Sequence, residues 1–231
     1  MGEICLVRHG QASFGAPDYD QLSDIGCEQS RRLGRWFTST CQKFDLAVTG
    51  TQRRHLQTAE YCLAALGSNI PQLIDADLNE YDYREMLVRY DARLATPSAL
   101  RAVIDAHPNP RRAFQEIFAA AFERWIGATQ NNEYRESFLE FRARCLGALR
   151  RRVAAAARSQ RIIVFTSGGP ISVMIQSALG LADDRVPALN FSLVNAAVTT
   201  LLFRPTEFSL LTLNCFQHLE DSGAARLITY R

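Results

Sequence analysis

Two apolar runs, Ile4-Cys5-Leu6-Val7 near the start and Ile162-Ile163-Val164-Phe165 far downstream, stand out from an otherwise mixed chain. A short run without polar alternation fits a strand covered on both faces. Between them the pattern turns helical. Ser23 and Asp24 supply a helix start, and Leu33, Trp36 and Phe37 recur at helical spacing through SDIGCEQSRRLGRWF. After a short strand, FDLAVTG, the residues Leu56, Ala59, Leu63 and Leu66 follow at steps of three, four and three, which predicts one apolar stripe on a second helix. A third strand falls near QLIDADL.

From about 83 to 135 the pattern loosens, and Pro97, Pro108 and Pro110 interrupt helical stretches such as FQEIFAAAFERWI. This predicts an inserted helical cap. A long helix follows, with Phe138, Phe141, Cys145 and Leu149 on one side and Arg150 to Arg152 closing it, where cations suit the negative end of the helix dipole. RIIVFTSGGPISVMIQSALGL then gives a buried strand, a glycine turn and a helix with Pro170 at its first position. NAAVTTLLFR and FSLLTLN are two neighbouring strands. The alternation predicts an α/β protein, a three-layer α/β/α sandwich around a mostly parallel mixed sheet, in a single domain over 1–231.

Composition leaves that picture standing and narrows the chemistry. With 47% hydrophobic and 22% charged residues, the 231-residue chain is ordinary for a folded globular protein. A formal charge of +2 supplies no general field for nucleic acid or an anionic membrane, so neither is expected as a partner. The cysteines Cys5, Cys27, Cys41, Cys62, Cys145 and Cys215 form no C-x-x-C pair and are expected to be reduced. There is no apolar run of about 18 residues, and the chain opens with a strand rather than a signal segment. A cytoplasmic protein is the simplest expectation. Four dispersed histidines and no carboxylate cluster predict no metal, and no cofactor is expected. No G-x-G-x-x-G follows the first strand, which excludes a dinucleotide oxidoreductase. Oligomeric state is not encoded in any pattern found.

In open α/β sheets, ligands gather beyond the carboxyl ends of strands. Three polar segments fall at such places: Arg8-His9-Gly10, then TGTQRRHLQTA, then TSGGP. Each brings cations or donors to one edge of the sheet, as an anion such as phosphate requires. In this order the segments resemble the histidine phosphatase superfamily, the phosphoglycerate mutase-like proteins, along nearly the full length. The family's R-H-G is matched by Arg8-His9-Gly10, followed by the short loop Gln11-Ala12-Ser13-Phe14, and its L-[ST]-x-x-G by Leu22-Ser23-Asp24-Ile25-Gly26. R-x-x-Q-T-A is matched by Arg54, Gln57, Thr58 and Ala59; L-x-E by Leu78 and Glu80; and E-S with a later arginine by Glu136, Ser137 and Arg144. One signature departs. Where the family usually has H-G-G, this chain has Ser167-Gly168-Gly169.

The resemblance implies a metal-independent phosphatase that hydrolyses a phosphate monoester through a phosphohistidine. A neutral imidazole is a competent nucleophile toward phosphorus, which assigns that part to His9. Arg8 and Arg54 can hold the equatorial oxygens in a fork and, as like charges, keep His9 unprotonated. Glu80 would protonate the leaving oxygen and then deprotonate water, for which its pKa should be raised. Gln11, Ser13, Ser167 and Gly168 are expected to touch the substrate, a small phosphorylated molecule or inorganic phosphate.

Rivals stay open at three of these positions. Asp82 and Glu85 compete with Glu80, Arg53 with Arg54, and Ser167 has a plain structural role as a helix cap. As a replacement for histidine, Ser167 offers one hydrogen bond and no charge, and loss of one such donor costs about 100- to 1000-fold in rate. A catalytically impaired pseudophosphatase that binds a phosphorylated ligand or partner is therefore the second reading. A phosphoglycerate-type mutase ranks third, because Trp125 is followed by Ile126 rather than by the arginines of the family's mutases. His55 is not expected to stand in for the missing histidine, since neighbours on a helix point about 100° apart; His107 falls in the cap, and His218 is expected to be interior. Tyr81, Tyr83, Arg84 and Arg89 are candidate pocket residues. The cap should set the natural substrate, which no motif names.

Overall fold

The computed structural model describes residues 1–13, 20–128, 133–204, 207–220 and 225–230. Its sheet contains β1 (Gly2–Arg8), β2 (Leu46–Thr49), β3 (Gln72–Ile74), β4 (Arg161–Thr166), β5 (Val198–Arg204) and β6 (Glu207–Cys215), in the order β3-β2-β4-β1-β5-β6. The first four run parallel, whereas β5 is antiparallel to β1 and β6 to β5. The two apolar runs become β1 and β4, side by side in the middle. On β1, Ile4 and Leu6 face one core while Cys5 and Val7 face the other; on β4, Ile162 and Val164 oppose Ile163 and Phe165 in the same way. Burial of both faces is why neither run alternates.

One face is covered by α1 (Asp24–Ser39) and α2 (Arg53–Leu66), which supply Leu33, Phe37, Cys62 and Leu63 to that core. Ser23 caps α1, its side chain accepting from Gly26 N–H at 3.1 Å. After β3 and a short 3-10 turn, Ala76–Leu78, come α3 (Tyr83–Tyr90), α4 (Pro97–Asp105) and α5 (Pro110–Gly127). Pro97 and Pro110 start their helices rather than break them, each just after a residue that caps the first turn, Thr96 and Asn109. The other face is covered by α6 (Phe138–Ala155) and α7 (Gly168–Leu179), followed by α8 (Val186–Ser192). This is the expected three-layer α/β/α arrangement around a mixed sheet.

Two sequence expectations need correction. On α2 the stripe is rotated: Leu56 is 38% exposed, and the buried face carries Arg54, His55, Thr58, Ala59, Cys62 and Leu63. The polar members of that face find partners inside, so spacing of apolar residues alone misplaced it. Pro170 is the third residue of α7, not the first, because the helix begins at Gly168. Those two glycines allow close approach. A Cβ on Gly168 would lie 2.2 Å from Asn190 Oδ1, and one on Gly169 would lie 2.1 Å from Glu80 Oε1.

The helical segment after β3 is fastened to α6 by rings. Tyr81 meets Phe122, Trp125 and Phe141 at centroid distances of 5.2, 5.0 and 5.5 Å. Such offset and edge-on pairs add to the stabilisation from area buried. Tyr81 adjoins Glu80, so this cluster also anchors the strand-end loop that carries the carboxylate. Among the described residues, no helix is long and apolar enough to cross a membrane.

Candidate active site

β1 delivers His9 directly. The ladder with β4 continues one step past Arg8, because His9 N–H donates to Thr166 O at 2.8 Å. The ring is 6% exposed, and its Nδ1 lies 2.7 Å from Gly10 O. A carbonyl can only accept, so Nδ1 carries the hydrogen and the lone pair sits on Nε2. Burial, then the Arg54 and Arg8 guanidinium groups, then His55, hold His9 well below the ordinary imidazole range. The ring is thus neutral, with a nucleophilic nitrogen, at neutral pH.

The second motif builds the loop as well as the charge. Gly10 N–H donates to Thr58 Oγ1 at 3.0 Å, Thr58 Oγ1 donates to Arg54 O at 2.6 Å, and Gln57 Oε1 accepts from Leu22 N–H at 2.8 Å. A side chain on Gly10 would strike the Gly26 backbone, its Cβ 2.5 Å from the carbonyl oxygen, so glycine permits the loop to lie against α1. Arg54 is 6% exposed and points inward, while Arg53 is exposed. Arg54 Nη1 donates to Asp20 Oδ1 at 2.5 Å and Nη2 to Gln52 Oε1 at 2.7 Å. Arg8 donates from Nη1 to Leu193 O and from Nη2 to Tyr230 O, the latter at 2.9 Å. Both forks are oriented before any ligand arrives.

Of the three carboxylates in LNEYDYRE, Glu80 lines the cleft. Its Oε2 accepts from Gly169 N–H at 3.2 Å and its Oε1 from Tyr81 N–H at 3.3 Å. Burial raises the Glu80 carboxyl above its usual value, against the opposing pull of Arg54, the Gly169 amide and Arg8. Asp82 instead caps α3, accepting from Arg84 N–H and Glu85 N–H at 3.0 and 3.1 Å, and Glu85 accepts from Arg135 N–H at 3.1 Å. Gln52 ties the two halves together, because its Oε1 also accepts Glu80 N–H at 3.2 Å. Behind the loop, Arg144 grips both oxygens of Glu136, at 2.5 and 2.9 Å. Its Nη1 donates to Asp77 O and Asn79 O at 2.9 and 2.8 Å.

The four expected substrate contacts lie elsewhere in the loop structure. Gln11 Oε1 accepts from Ser23 Oγ at 2.8 Å, and Ser13 N–H donates to Gln21 O at 2.8 Å. Gly168 packs beneath Asn190. Ser167 is fully buried; it stands at the N-cap position of α7 but does not cap, its hydroxyl lying 2.6 Å from His55 Nε2. None of the four is among the residues lining the cleft. Phe14 lies outside the described residues. His55 is also fully buried, with its ring centroid 5.7 Å from that of His9. Arg54 lines the cleft and His55 does not: the two neighbours do not face one ligand, and the His55 ring is turned to Ser167 instead.

Opposite the charged floor stands a wall of rings. The cleft, about 740 Å³ with its open mouth, is walled by Tyr83, Phe114, Phe118 and Phe191 and edged by Asn190 and Tyr230. Phe118 meets Phe114 at 5.8 Å and Phe191 at 5.6 Å. Phe114, Phe118 and Phe122 recur every fourth residue, a signal of one helix face that was present in the sequence. Asn190, Phe191 and Tyr230 reach the cleft from distant parts of the chain and carried no such signal; nor did Asp20.

A buried neutral imidazole, two oriented guanidinium groups and a carboxyl of raised pKa meet at the carboxyl edge of an α/β sheet, an arrangement suited to an anionic ligand. The family model of the histidine phosphatase superfamily (branch 1) matches residues 4–215, and the chain belongs to that family. A 2,3-bisphosphoglycerate-dependent phosphoglycerate mutase of Methylorubrum extorquens (strain PA1) is 31% identical over 99 residues, 39% of this chain and 47% of that protein. The chain thus spans about half the length of the curated relatives it matches. Among solved structures, a mycobacterial glucosyl-3-phosphoglycerate phosphatase aligns over 93% of this chain and 99% of its own, with 21% identity and a TM-score of 0.63. The alpha-ribazole phosphatase of Shigella flexneri aligns over 92% and 96%, with 20% identity and a TM-score of 0.64. At these identities the likeness shows the fold.

Proposed function

We propose that the protein is a metal-independent phosphatase that hydrolyses small phosphate monoesters through a phosphohistidine on His9. The observation that carries this reading is the His9 ring itself, buried, neutral, hydrogen-bonded through Nδ1 to Gly10 O, and lining one cleft with Arg8, Arg54 and Glu80. In the first half-reaction Nε2 attacks phosphorus and the P–O bond to the alcohol breaks. Arg8 and Arg54 take the charge on the equatorial oxygens, and protonated Glu80 gives its proton to the leaving oxygen. In the second, Glu80 carboxylate removes a proton from water, water oxygen bonds to phosphorus, and the P–N bond returns its electrons to Nε2.

The wall of Tyr83, Phe114, Phe118 and Phe191 favours an apolar or aromatic alcohol as leaving group. Among the described lining residues the cations are Arg8 and Arg54, both at the floor, so one phosphoryl group is what they can neutralise. That speaks against the mutase reading suggested by the relatives' names, since a phosphoglycerate carries a carboxylate besides its phosphate. Hydrolysis of 1-naphthyl phosphate in the presence of a chelator, abolished in His9→Ala, is the expected result. An undiminished rate in His9→Ala overturns the mechanism. The burial of Ser167 outside the cleft keeps a second reading in play: no hydrolysis across a panel of esters, with retained phosphate binding, would favour a pseudophosphatase.

A further inference from the structure

Ser167 has the extended backbone of an N-cap residue (φ −113°, ψ 173°), yet its side chain accepts nothing from the first turn of α7. Serine at that position ordinarily satisfies one of the turn's amides. Here the hydroxyl is committed to His55, whose Nε2 is 2.6 Å away. Gly50 makes room for the ring, because a Cβ there would lie 2.3 Å from His55 Nδ1. That Nδ1 is buried with no hydrogen-bonding partner among the described residues. The Ser167 hydroxyl is therefore the one hydrogen-bonding partner of the ring among the described residues, whichever of the two groups donates. Burial and then Arg54 hold His55 well below the ordinary imidazole range, so the ring is neutral.

The bond joins two segments that each control a reacting group. His55 follows Arg54 at the start of α2. Ser167 precedes Gly168 and Gly169, whose amide holds Glu80 Oε2 at 3.2 Å. Directly beside the bond is the His9 ring, 5.7 Å from His55. We infer that the His55–Ser167 hydrogen bond is a positioning brace for the nucleophile, fixing the start of α2 against the start of α7 so that Arg54 and Glu80 converge on one phosphoryl group carried by His9. It also accounts for the small residue at 167: the ring of His55 fills the space a larger side chain there would need.

Hydrolysis of 1-naphthyl phosphate supplies the first test, which rests on the phosphatase reading. His55→Ala lowers kcat about ten- to hundredfold with KM within about threefold; Ser167→Ala matches it, and the double variant is no worse than either. His55→Gln, whose amide nitrogen reaches the place of Nε2, recovers kcat to within about threefold of wild type and keeps the test open where His55→Ala does not fold. Ser167→His lowers kcat in the wild-type background and restores it in His55→Ala. Wild-type kcat in His55→Ala, or a His55→Gln protein no better than His55→Ala, overturns the inference and leaves the phosphatase reading intact.

The second test needs no turnover. Imidazole nitrogen NMR of the wild-type protein should show a hydrogen-bonded His55 Nε2 whose nitrogen shift changes in Ser167→Ala and again when inorganic phosphate is added. A His55 Nε2 shift unchanged in Ser167→Ala, or one indifferent to phosphate, overturns the brace whatever the hydrolysis assay gives.

Discussion

Arg8, His9, Arg54 and Glu80 reach the floor of the cleft from three separate strand ends and are held there by hydrogen bonds to backbone groups and side chains. Phe114, Phe118 and Phe191 reach the opposite wall from two helices and are held by ring-on-ring packing. The two regions should therefore fail differently. Directional bonds fix polar groups within the tolerance that charge stabilisation demands, so loss of one floor group removes transition-state stabilisation. Packing contacts are individually small and adaptable, so loss of one ring changes which alcohol is accepted more than whether chemistry occurs.

The largest separation between floor and wall is expected from His9→Ala, with turnover below about one-thousandth of wild type for every ester tried. Arg54→Ala should follow, with kcat down about 100- to 1000-fold and no recovery on changing the leaving group. Glu80→Gln should cost about 100-fold in kcat/KM with a poor leaving group and much less with a good one, which needs no proton.

The pH profile sharpens the comparison. Because His9 is held below the imidazole range, its lone pair survives into acid. Because burial raises Glu80, its proton survives to higher pH than on an exposed glutamate. The first half-reaction should therefore hold steady on the acid side down to the lowered His9 value and decline as pH rises through the raised Glu80 value. A pre-steady-state burst series should lose that decline in Glu80→Gln.

The smallest effect is expected at the wall. Phe118→Ala should lower kcat/KM for 1-naphthyl phosphate about five- to twentyfold, through KM, while changing a small alkyl phosphate about twofold or less. Equal losses for both esters would show that the rings serve the floor rather than the leaving group.

The same division governs what could be seen in the sequence. Floor residues sit in motifs whose spacing is set by backbone geometry: Gly10 must lie against Gly26, and Thr58 must reach Gly10 N–H, so Arg54 is carried to a fixed place. The sheet was legible for a similar reason, since β1 and β4 are buried on both faces and spell it out in unbroken apolar runs. The wall was legible only in part. Tyr81 and Tyr83 stood out beside Glu80, and the Phe114, Phe118, Phe122 repeat marks a helix face, but periodicity does not say what that face meets. Phe191 and Tyr230 arrive through tertiary folding alone. The clamps on Arg8 are carbonyls of Leu193 and Tyr230, which any residue would supply. The buried face of α2 was misplaced because its leucines set the expected stripe, whereas partners at Ser167 and Asp20 turn His55 and Arg54 inward.

The most direct test of the central claim is to trap the protein during turnover with an aryl phosphate, quench in base, and map the phosphoryl group by mass spectrometry and phosphorus NMR. The account predicts one base-stable, acid-labile phosphoryl group on His9 Nε2, absent from His9→Ala. A protein that turns over with no phosphorylated intermediate, or with the group on any other residue, would contradict it.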